Sequence, residues 1–174
     1  GIAWSYCSDM VANIQLIETV GRLLIDNELT LVTAESCTGG MIAAELTSVP
    51  GCSEWFEGAF VTYRLSAKTR MIGVRQRTLD EEGAVSEPTA KEMAEGALRA
   101  SDARVSVSVT GVAGPDGGDL LAPVGTVWFG WGIRTDEPRC VQTSRHALSG
   151  SRDQVRAQAV RIALEGVREL LDRR

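Results

Sequence analysis

The chain has 174 residues, with 18 lysines and arginines against 23 acidic residues and a net charge of −5 at pH 7. This length suits one domain with a sizeable core, and the acidic balance argues against a broad nucleic-acid-binding surface. No apolar run is long enough to cross a bilayer and no signal-peptide pattern is present, so we expect no membrane association and a cytoplasmic location.

The cysteines argue against a metal site. The four of them form no CxxC pair and no cluster with the only histidine, His146, so we expect free thiols in a reducing compartment and no metal. We expect a single domain over residues 1–174. Because the chain begins with Gly1 and not with methionine, we expect residues 1–8 to be disordered or artificial in origin, and we assign them no function.

The first predicted elements surround a turn of small residues. Apolar residues at three- and four-residue spacing predict an amphipathic helix over Asp9–Asn27. A short apolar, partly β-branched run predicts a buried strand over Leu29–Val32, and a second helix is expected over Met41–Thr47. Between that strand and the second helix lies the segment TAESCTGG, at Thr33–Gly40.

This turn is the first candidate site. A strand that runs through a tight turn into a helix exposes a side chain and leaves backbone N–H groups unpaired at the helix N-terminus. Ser36 lies where such a turn places a nucleophile, and its neighbours Cys37, Thr38 and Gly39 lie where it places an oxyanion hole. The alternative is that Ser36 or Thr38 only caps the helix, while the glycines only allow close packing.

The middle of the chain predicts one strand and three helices. Aromatic and β-branched residues predict a strand over Phe56–Leu65, followed by a short helix that Ser66 caps and Gly73 ends. An exposed helix-turn is expected over Arg75–Gly83. A further amphipathic helix begins after Ser86, which is a candidate N-cap.

The last third predicts three strands and a helix. Strict alternation over Arg104–Thr110 predicts a half-buried strand. Two more strands are expected over Gly125–Ile133 and Arg139–Leu148, followed by a long helix from Ser151 to about Leu171. Because these three strands follow one another without a helix, the sheet must be partly antiparallel. The sequence therefore predicts an α/β fold, a single three-layer α/β/α domain with a mixed sheet.

A serine nucleophile needs a base within hydrogen-bond reach. His146 lies beside Arg145 in a predicted strand, where a structural role is the simpler interpretation. Lys68 follows the strand that carries Tyr63, so both can face the same cleft as Ser36. A lysine serves as base only if burial or positive charge lowers its pKa. The alternatives are a solvated helix lysine and a packed strand aromatic.

Glu35 precedes the candidate nucleophile directly. A carboxylate that faced the cleft would oppose the lowering of a lysine pKa. We therefore expect Glu35 to point away from the cleft, toward a backbone donor or an arginine.

Two further segments are candidates for substrate binding. The glycine-rich loop over Gly111–Gly118 is either a plain hairpin loop or a backbone nest for a ligand. The groups that such a nest offers belong to Thr110, Gly111, Ala113 and Gly114. Arg152 and Arg156 lie one turn apart at the start of the last helix, where they favour a phosphate or carboxylate. The alternative is solvated arginines that pair with nearby acids.

Together these segments resemble the C-terminal domain of the CinA (competence/damage-inducible) family, from about Leu23 to Leu171. The resemblance rests on five motifs in the same order. They are TAESCTGG at 33–40, GAFVTY at 58–63 with Lys68 following, GAVSE at 83–87, VTGVAGP at 109–115 with PVGTV at 123–127, and GSR at 150–152 with Val155 and Arg156.

The resemblance implies hydrolysis of the carboxamide of nicotinamide mononucleotide, a phosphorylated pyridine nucleotide, to nicotinic acid mononucleotide and ammonia. It implies Ser36 as the nucleophile, with Tyr63 and Lys68 activating it and moving its proton, and no cofactor. The loop Asp116–Ala122 and the turn Arg64–Ser66 depart from the commonest family pattern. We also expect a homodimer or higher homo-oligomer.

A second hypothesis is a non-catalytic module with the same fold, which binds a small metabolite or a competence- or damage-associated protein partner. The joint presence of Ser36, Tyr63 and Lys68 favours the enzyme, since a pure binding module does not need all three.

Overall fold

The structure, a computed structural model, describes the backbone of residues 2–174 and the side chains of residues 13–174. The elements in chain order are α1 (Ile2–Asp26), β1 (Leu31–Glu35), α2 (Met41–Leu46), a 3-10 helix (Cys52–Glu54), β2 (Phe56–Val61), α3 (Leu65–Ile72), α4 (Gln76–Glu82), α5 (Glu87–Arg99), β3 (Val105–Gly111), β4 (Thr126–Arg134), β5 (Pro138–Ala147) and α6 (Arg152–Asp172). Helix α1 begins seven residues before the predicted Asp9. Gly1 and the side chains of residues 2–8 lie outside the described residues, so the expectation for that segment stays a prediction.

The five strands form one sheet in the order β2-β1-β3-β4-β5. Strand β1 lies parallel to β2 and to β3, whereas β4 is antiparallel to both of its neighbours. The mixed sheet predicted from the uninterrupted run of the last three strands is confirmed. Because β1, β2 and β3 point the same way, their carboxyl ends meet at one edge of the sheet, and the segments that follow them are brought together there.

Helices cover both faces of the sheet, as the predicted three-layer α/β/α architecture requires. One face packs against α1 and α6, and the other against α5 with α3 and α4 beyond it. The indole N–H of Trp131 donates to the carbonyl of Ala163 at 3.1 Å and ties β4 to α6. Among the described helices, none has both the length and the apolar character needed to cross a membrane.

Strand β3 is buried on both faces, so the prediction of a half-buried strand is wrong. Its three valines pack into the core beneath α1 and α6. On the other face, Ser106 and Ser108 donate to the α5 carbonyls of Ala94 and Ala90 at 2.8 Å and 2.6 Å. A Cβ at the adjacent Gly130 would lie 2.7 Å from the Ala90 carbonyl oxygen. The alternation of valine and serine therefore gives the strand two different buried faces. The valines make apolar contacts, and the serines make hydrogen bonds to α5.

The start of one helix agrees with the prediction and the start of another does not. Helix α5 begins where predicted, because the Ser86 hydroxyl caps it by accepting from the Thr89 N–H at 3.3 Å. Helix α3 begins two residues earlier than predicted, and its N-cap position is Arg64 without a side-chain cap, so the assignment of Ser66 as the cap is wrong. Gly73 ends α3 as expected, in a left-handed conformation (φ 70°).

Candidate active site

The turn after β1 places Ser36 at the edge of the sheet where the parallel strands end. The Ser36 N–H donates to the carbonyl of Val109 at 3.0 Å, so the pairing of β1 with β3 continues one residue past the strand. Only 8% of Ser36 is exposed. The side chain is thus nearly covered, in contrast to the exposed turn serine expected from the sequence.

Lys68 covers that serine from α3. Its Nζ lies 2.9 Å from Ser36 Oγ and also donates to the carbonyls of Thr62 at 2.7 Å and Tyr63 at 3.1 Å. The side chain is 1% exposed, and no described acidic residue forms an ion pair with it. The structure therefore brings Lys68 and Ser36 together in a site where every partner of the amine is a neutral oxygen.

Burial lowers the pKa of Lys68 from 10.5 to about 8, because an ammonium loses hydration in such a site. The nearby Cys37 acts weakly in the opposite direction. A substantial fraction of Lys68 is then the neutral amine near pH 8 and can accept a proton from Ser36. The alternative of a solvated helix lysine does not describe this side chain.

The neighbouring Cys37 is a rival candidate nucleophile. Its side chain belongs to the core beneath α1 and α6. Desolvation there raises the pKa of the thiol to about 11. Because the thiolate and not the thiol is the nucleophile, Cys37 is the weaker candidate beside Ser36.

Glu35 points away from Lys68 and into the start of α2, as expected. Its carboxylate accepts hydrogen bonds from two threonine hydroxyls and three backbone N–H groups at 2.7–3.2 Å; the donors are Thr33, Thr38, Gly40, Ile42 and Ala43. The side chain is fully buried. A negative charge is favourable at a helix N-terminus, and here it also fixes the shape of the turn that carries Ser36.

These contacts narrow the choice of oxyanion donors. Glu35 takes three N–H groups, and those of Gly39 and Met41 donate to the carbonyls of Ser36 and Thr38, each at 3.0 Å. Within the part of the chain that the structure describes, the N–H groups of Cys37 and Thr38 have no acceptor. The open donors therefore lie directly after Ser36: of the predicted Cys37, Thr38 and Gly39, the first two have open N–H groups and Gly39 does not.

Tyr63 and Arg152 meet at the rim of the site. The Tyr63 side chain is 58% exposed, and its hydroxyl accepts from Arg152 Nη2 at 3.3 Å. Arg152 Nη1 donates to the carbonyl of Gly114 at 2.9 Å. Among the described contacts, the Tyr63 hydroxyl forms no hydrogen bond with Ser36 or Lys68; only the Tyr63 carbonyl reaches Lys68. The predicted role of Tyr63 in proton movement stays a prediction.

Arg156 is engaged differently from Arg152. Its Nε donates to the carbonyl of Cys37 at 3.0 Å and its Nη2 to that of Thr38 at 3.3 Å. Both bonds hold the turn that carries Ser36. The structure thus places both predicted arginines at the site but gives them different partners.

The loop after β3 is only partly open to a ligand. The Thr110 hydroxyl donates to the carbonyl of Ala84 at 2.7 Å, and Gly111 pairs with Val127 in the sheet. The N–H groups of Ala113 and Gly114 have no acceptor among the described residues. Of the predicted nest, these two N–H groups are left to meet a substrate.

Other features lie away from this edge. His146 is on β5, three strands from β1, where it packs against Phe129 with an interplanar angle of 87°. A cleft of about 500 Å³ opens near Val32 and Arg99, beside the amino ends of the parallel strands, and has no side chain in common with the Ser36 site. Within the described residues, no three His, Cys, Asp or Glu side chains are arranged to hold a metal ion.

Sequence reasoning missed the main-chain contributions to the site. The carbonyls of Thr62 and Tyr63 orient Lys68, and the carbonyl of Cys37 receives Arg156. Main-chain groups occur at every residue, so no residue type could have pointed to them.

Comparisons with known proteins match most of the chain. The family model for the CinA C-terminal domain matches residues 13–171. The chain is 52% identical over 151 residues to nicotinamide-nucleotide amidohydrolase PncC of Escherichia coli K12. The aligned region covers 87% of this chain and 90% of that protein. It is 49% identical over 140 residues to the protein of the same name from Pseudomonas putida, with 80% and 85% covered. The crystal structure of competence damage-inducible protein A (ComA) from Klebsiella pneumoniae matches 92% of this chain and 97% of its own, with a TM-score of 0.86 and 38% identity.

Proposed function

The chain belongs to the CinA C-terminal domain family, and we propose that it hydrolyses the carboxamide of nicotinamide mononucleotide to give nicotinic acid mononucleotide and ammonia. It is an amidohydrolase of the kind that its relatives from Escherichia coli and Pseudomonas putida are named for. Those relatives match this chain over most of both lengths, so their named activity resides in the domain that this chain forms.

The contact of 2.9 Å between Lys68 Nζ and Ser36 Oγ carries this proposal. The neutral Lys68 amine takes the Ser36 proton as Oγ attacks the carboxamide carbon. The resulting ammonium then protonates the leaving nitrogen, so that ammonia departs and a serine ester remains. Water, deprotonated by the same amine, attacks the ester, releases the carboxylic acid and restores both side chains.

The oxyanion of each tetrahedral intermediate needs donors that are already in place. We assign this role to the N–H groups of Cys37 and Thr38, because the N–H groups of Ser36 and of Gly39–Ala43 donate elsewhere. These two donors follow the nucleophile in the chain, so the attacked carbonyl oxygen can lie beside both.

The rim of the site is assigned to the nucleotide part of the substrate. Arg152 is exposed and its guanidinium lies between the Tyr63 hydroxyl and the Gly114 carbonyl. An arginine fork with further donors nearby suits a phosphate group, and the open N–H groups of Ala113 and Gly114 supply such donors. Tyr63 thus serves both ends of the site, through its carbonyl on Lys68 and its hydroxyl on Arg152.

A non-catalytic binding module is the weaker hypothesis. A buried lysine without an acidic partner costs stability, since its charged form is desolvated. A module that only binds gains nothing from placing that lysine against a serine hydroxyl. A base for Ser36 accounts for both observations.

The decisive experiment measures ammonia release by the purified chain from nicotinamide mononucleotide and from nicotinamide. We expect turnover of the nucleotide and at least a hundredfold lower kcat/KM for free nicotinamide, which lacks the phosphate. Replacement of Arg152 by Gln should raise KM for the nucleotide and leave kcat nearly unchanged. Equal efficiency on the two compounds would contradict the phosphate assignment, and absence of ammonia from both would contradict the amidase.

We also propose that the chain acts in the cytoplasm as a homodimer or higher homo-oligomer. Free thiols at Cys37, Cys52 and Cys140 support a reducing compartment. The highly exposed neighbours Leu120 and Leu121 support association, because removing apolar surface from water is favourable. Sedimentation of the purified chain tests the second part, and a monomer at all concentrations would contradict it.

A further inference from the structure

The side chain of Arg156 is committed to two main-chain carbonyls. Its guanidinium donates to Cys37 at 3.0 Å and to Thr38 at 3.3 Å, and within the described residues it forms no ion pair with an acid. The two acceptors belong to consecutive residues directly after Ser36. A positive side chain from α6 therefore holds the turn of the nucleophile from the outside.

Holding a carbonyl also fixes the N–H of the next residue. In a trans peptide the C=O and N–H bonds point in opposite directions from one plane. With its carbonyl held by Arg156, Cys37 directs the N–H of Thr38 away from Arg156. That N–H is one of the two donors without an acceptor in the described part of the chain.

The two carbonyls depend on Arg156 to different degrees. The carbonyl of Thr38 also accepts from the Met41 N–H at 3.0 Å, whereas that of Cys37 has Arg156 as its only described partner. Without Arg156, the peptide between Cys37 and Thr38 loses the hydrogen bond that orients its carbonyl. The peptide beyond it stays anchored by the start of α2.

Neighbouring residues leave room for the Arg156 guanidinium and hold the other side of the turn. A Cβ at Gly39 would lie 3.4 Å from Arg156 Nη2, and its φ of 59° is in the left-handed region that favours glycine. From the inner side, Glu35 accepts from the Thr38 hydroxyl at 2.7 Å. The turn is thus clamped between a buried carboxylate and an arginine, and only the arginine sets the peptide after Cys37.

We propose that Arg156 is a positioning residue that keeps the Thr38 N–H aimed into the oxyanion hole, and not a ligand of the substrate phosphate. This inference rests on the proposed amidase function. It assigns the two arginines of α6 to different steps, Arg152 to substrate affinity and Arg156 to the stabilisation of the tetrahedral intermediates.

The test compares Arg156→Met with Arg156→Lys and with the control Arg161→Met, which alters an exposed arginine on the same helix that pairs with Glu165. Loss of one oxyanion donor lowers kcat by about a hundredfold or more. We expect such a fall in kcat for Arg156→Met with KM changed less than threefold. Arg156→Lys should recover part of the rate, because an ammonium can hold one carbonyl but not the pair. Arg161→Met should match the wild type.

Two further measurements separate positioning from phosphate binding and from damage to the fold. Nicotinamide riboside lacks the phosphate, so Arg156→Met should lower kcat/KM for the riboside and for the mononucleotide by the same factor. Pyridine-3-boronic acid forms a tetrahedral adduct with a serine and needs the oxyanion hole. Its affinity should fall with kcat, while the affinity for nicotinic acid mononucleotide should not change.

A loss confined to the mononucleotide would overturn the inference and make Arg156 a phosphate ligand. Unchanged kcat in Arg156→Met, or unchanged boronic acid affinity in a variant with lowered kcat, would also overturn it. A wild-type chain that releases no ammonia would instead contradict the proposed function itself.

Discussion

At the scale of single residues, Ser36 and Cys37 are adjacent nucleophiles that the structure places in different surroundings. Ser36→Ala should abolish ammonia release and leave the fold intact, since the loss of one hydrogen bond costs about 1 kcal/mol. Cys37→Ala should keep most of the activity, because the thiol is buried in the core and its pKa is raised to about 11. Steady-state kinetics with thermal unfolding of both variants measures this. Activity that survives in Ser36→Ala and is lost in Cys37→Ala would reverse the assignment.

The pH dependence of the rate should report Lys68. A base must be deprotonated, so kcat/KM should rise with pH through about 8, the lowered pKa of this lysine, and level off above it. Lys68→Arg keeps a charge that does not dissociate at ordinary pH, and turnover should fall at least a thousandfold while product still binds. His146→Ala should behave as wild type, since it lies three strands away. An active Lys68→Arg beside an inactive His146→Ala would exclude the serine–lysine mechanism.

The same lysine should make stability depend on pH. Its pKa is about 8 in the folded chain and 10.5 when solvated. Between these values the unfolded chain holds a proton that the folded chain has lost, so the free energy of unfolding should rise with pH, by up to about 1.4 kcal/mol per pH unit. Lys68→Met should lack this rise. Urea unfolding of both proteins from pH 7 to 10 tests this, and parallel curves would show that the folded-state pKa is unperturbed.

At the scale of elements, the buried carboxylate of Glu35 joins β1 to α2. Glu35→Gln puts an amide NH₂ among groups that all donate, so at least one buried donor loses its acceptor. We expect a loss of about 3 kcal/mol in the free energy of unfolding. The control Glu165→Gln alters an exposed pair with Arg161 and should cost less than about 0.5 kcal/mol. Equal losses of unfolding free energy for the two variants would contradict a stabilising role of the Glu35 carboxylate at the start of α2.

The contact of α5 with the sheet tolerates only small residues. A Cβ at Gly130 would lie 2.7 Å from the backbone oxygen of Ala90, whereas one at Gly58 on the edge strand meets nothing within 4 Å. Gly130→Ala should therefore cost about 1–3 kcal/mol through overpacking. Gly58→Ala should be neutral or stabilising by about 0.5 kcal/mol, because alanine loses less backbone entropy than glycine on folding. Denaturant unfolding of the pair measures this, and equal stabilities would contradict the close approach of α5.

At the scale of the whole molecule, the sequence predicts what depends on order and periodicity. The uninterrupted run of the last three strands implied a mixed sheet, and the position of Tyr63 and Lys68 at the end of the second strand implied a cleft shared with Ser36. Ser36 and Lys68 could be paired in advance because Ser36 directly follows one predicted strand and Lys68 lies on the helix that follows the next. The cap Ser86 could be predicted because its hydroxyl bonds a backbone N–H only three residues later in the chain.

What the sequence could not supply depends on partners distant in the chain. Strand β1 runs from Leu31 to Glu35 and not over Leu29–Val32, because its pairing with β2 and β3 includes the polar Thr33 and Glu35. The serines of β3 were predicted to face solvent, because the sequence does not show that the carbonyls of α5 accept their hydrogen bonds. The different contacts of the two arginines of α6 depend on carbonyls distant in the chain, that of Gly114 for Arg152 and those of Cys37 and Thr38 for Arg156.

The neutral surroundings of Lys68 tie its protonation to the packing of the core around it. Among the described residues, no acidic side chain forms an ion pair with Lys68, so burial is the main cause of its lowered pKa. The buried Ile72 lies one turn further along α3 and belongs to the packing that keeps water away. Substitutions in that packing move the working pH without touching any group that meets substrate. The working pH of the site can therefore change through core residues alone, with the candidate site residues themselves unchanged.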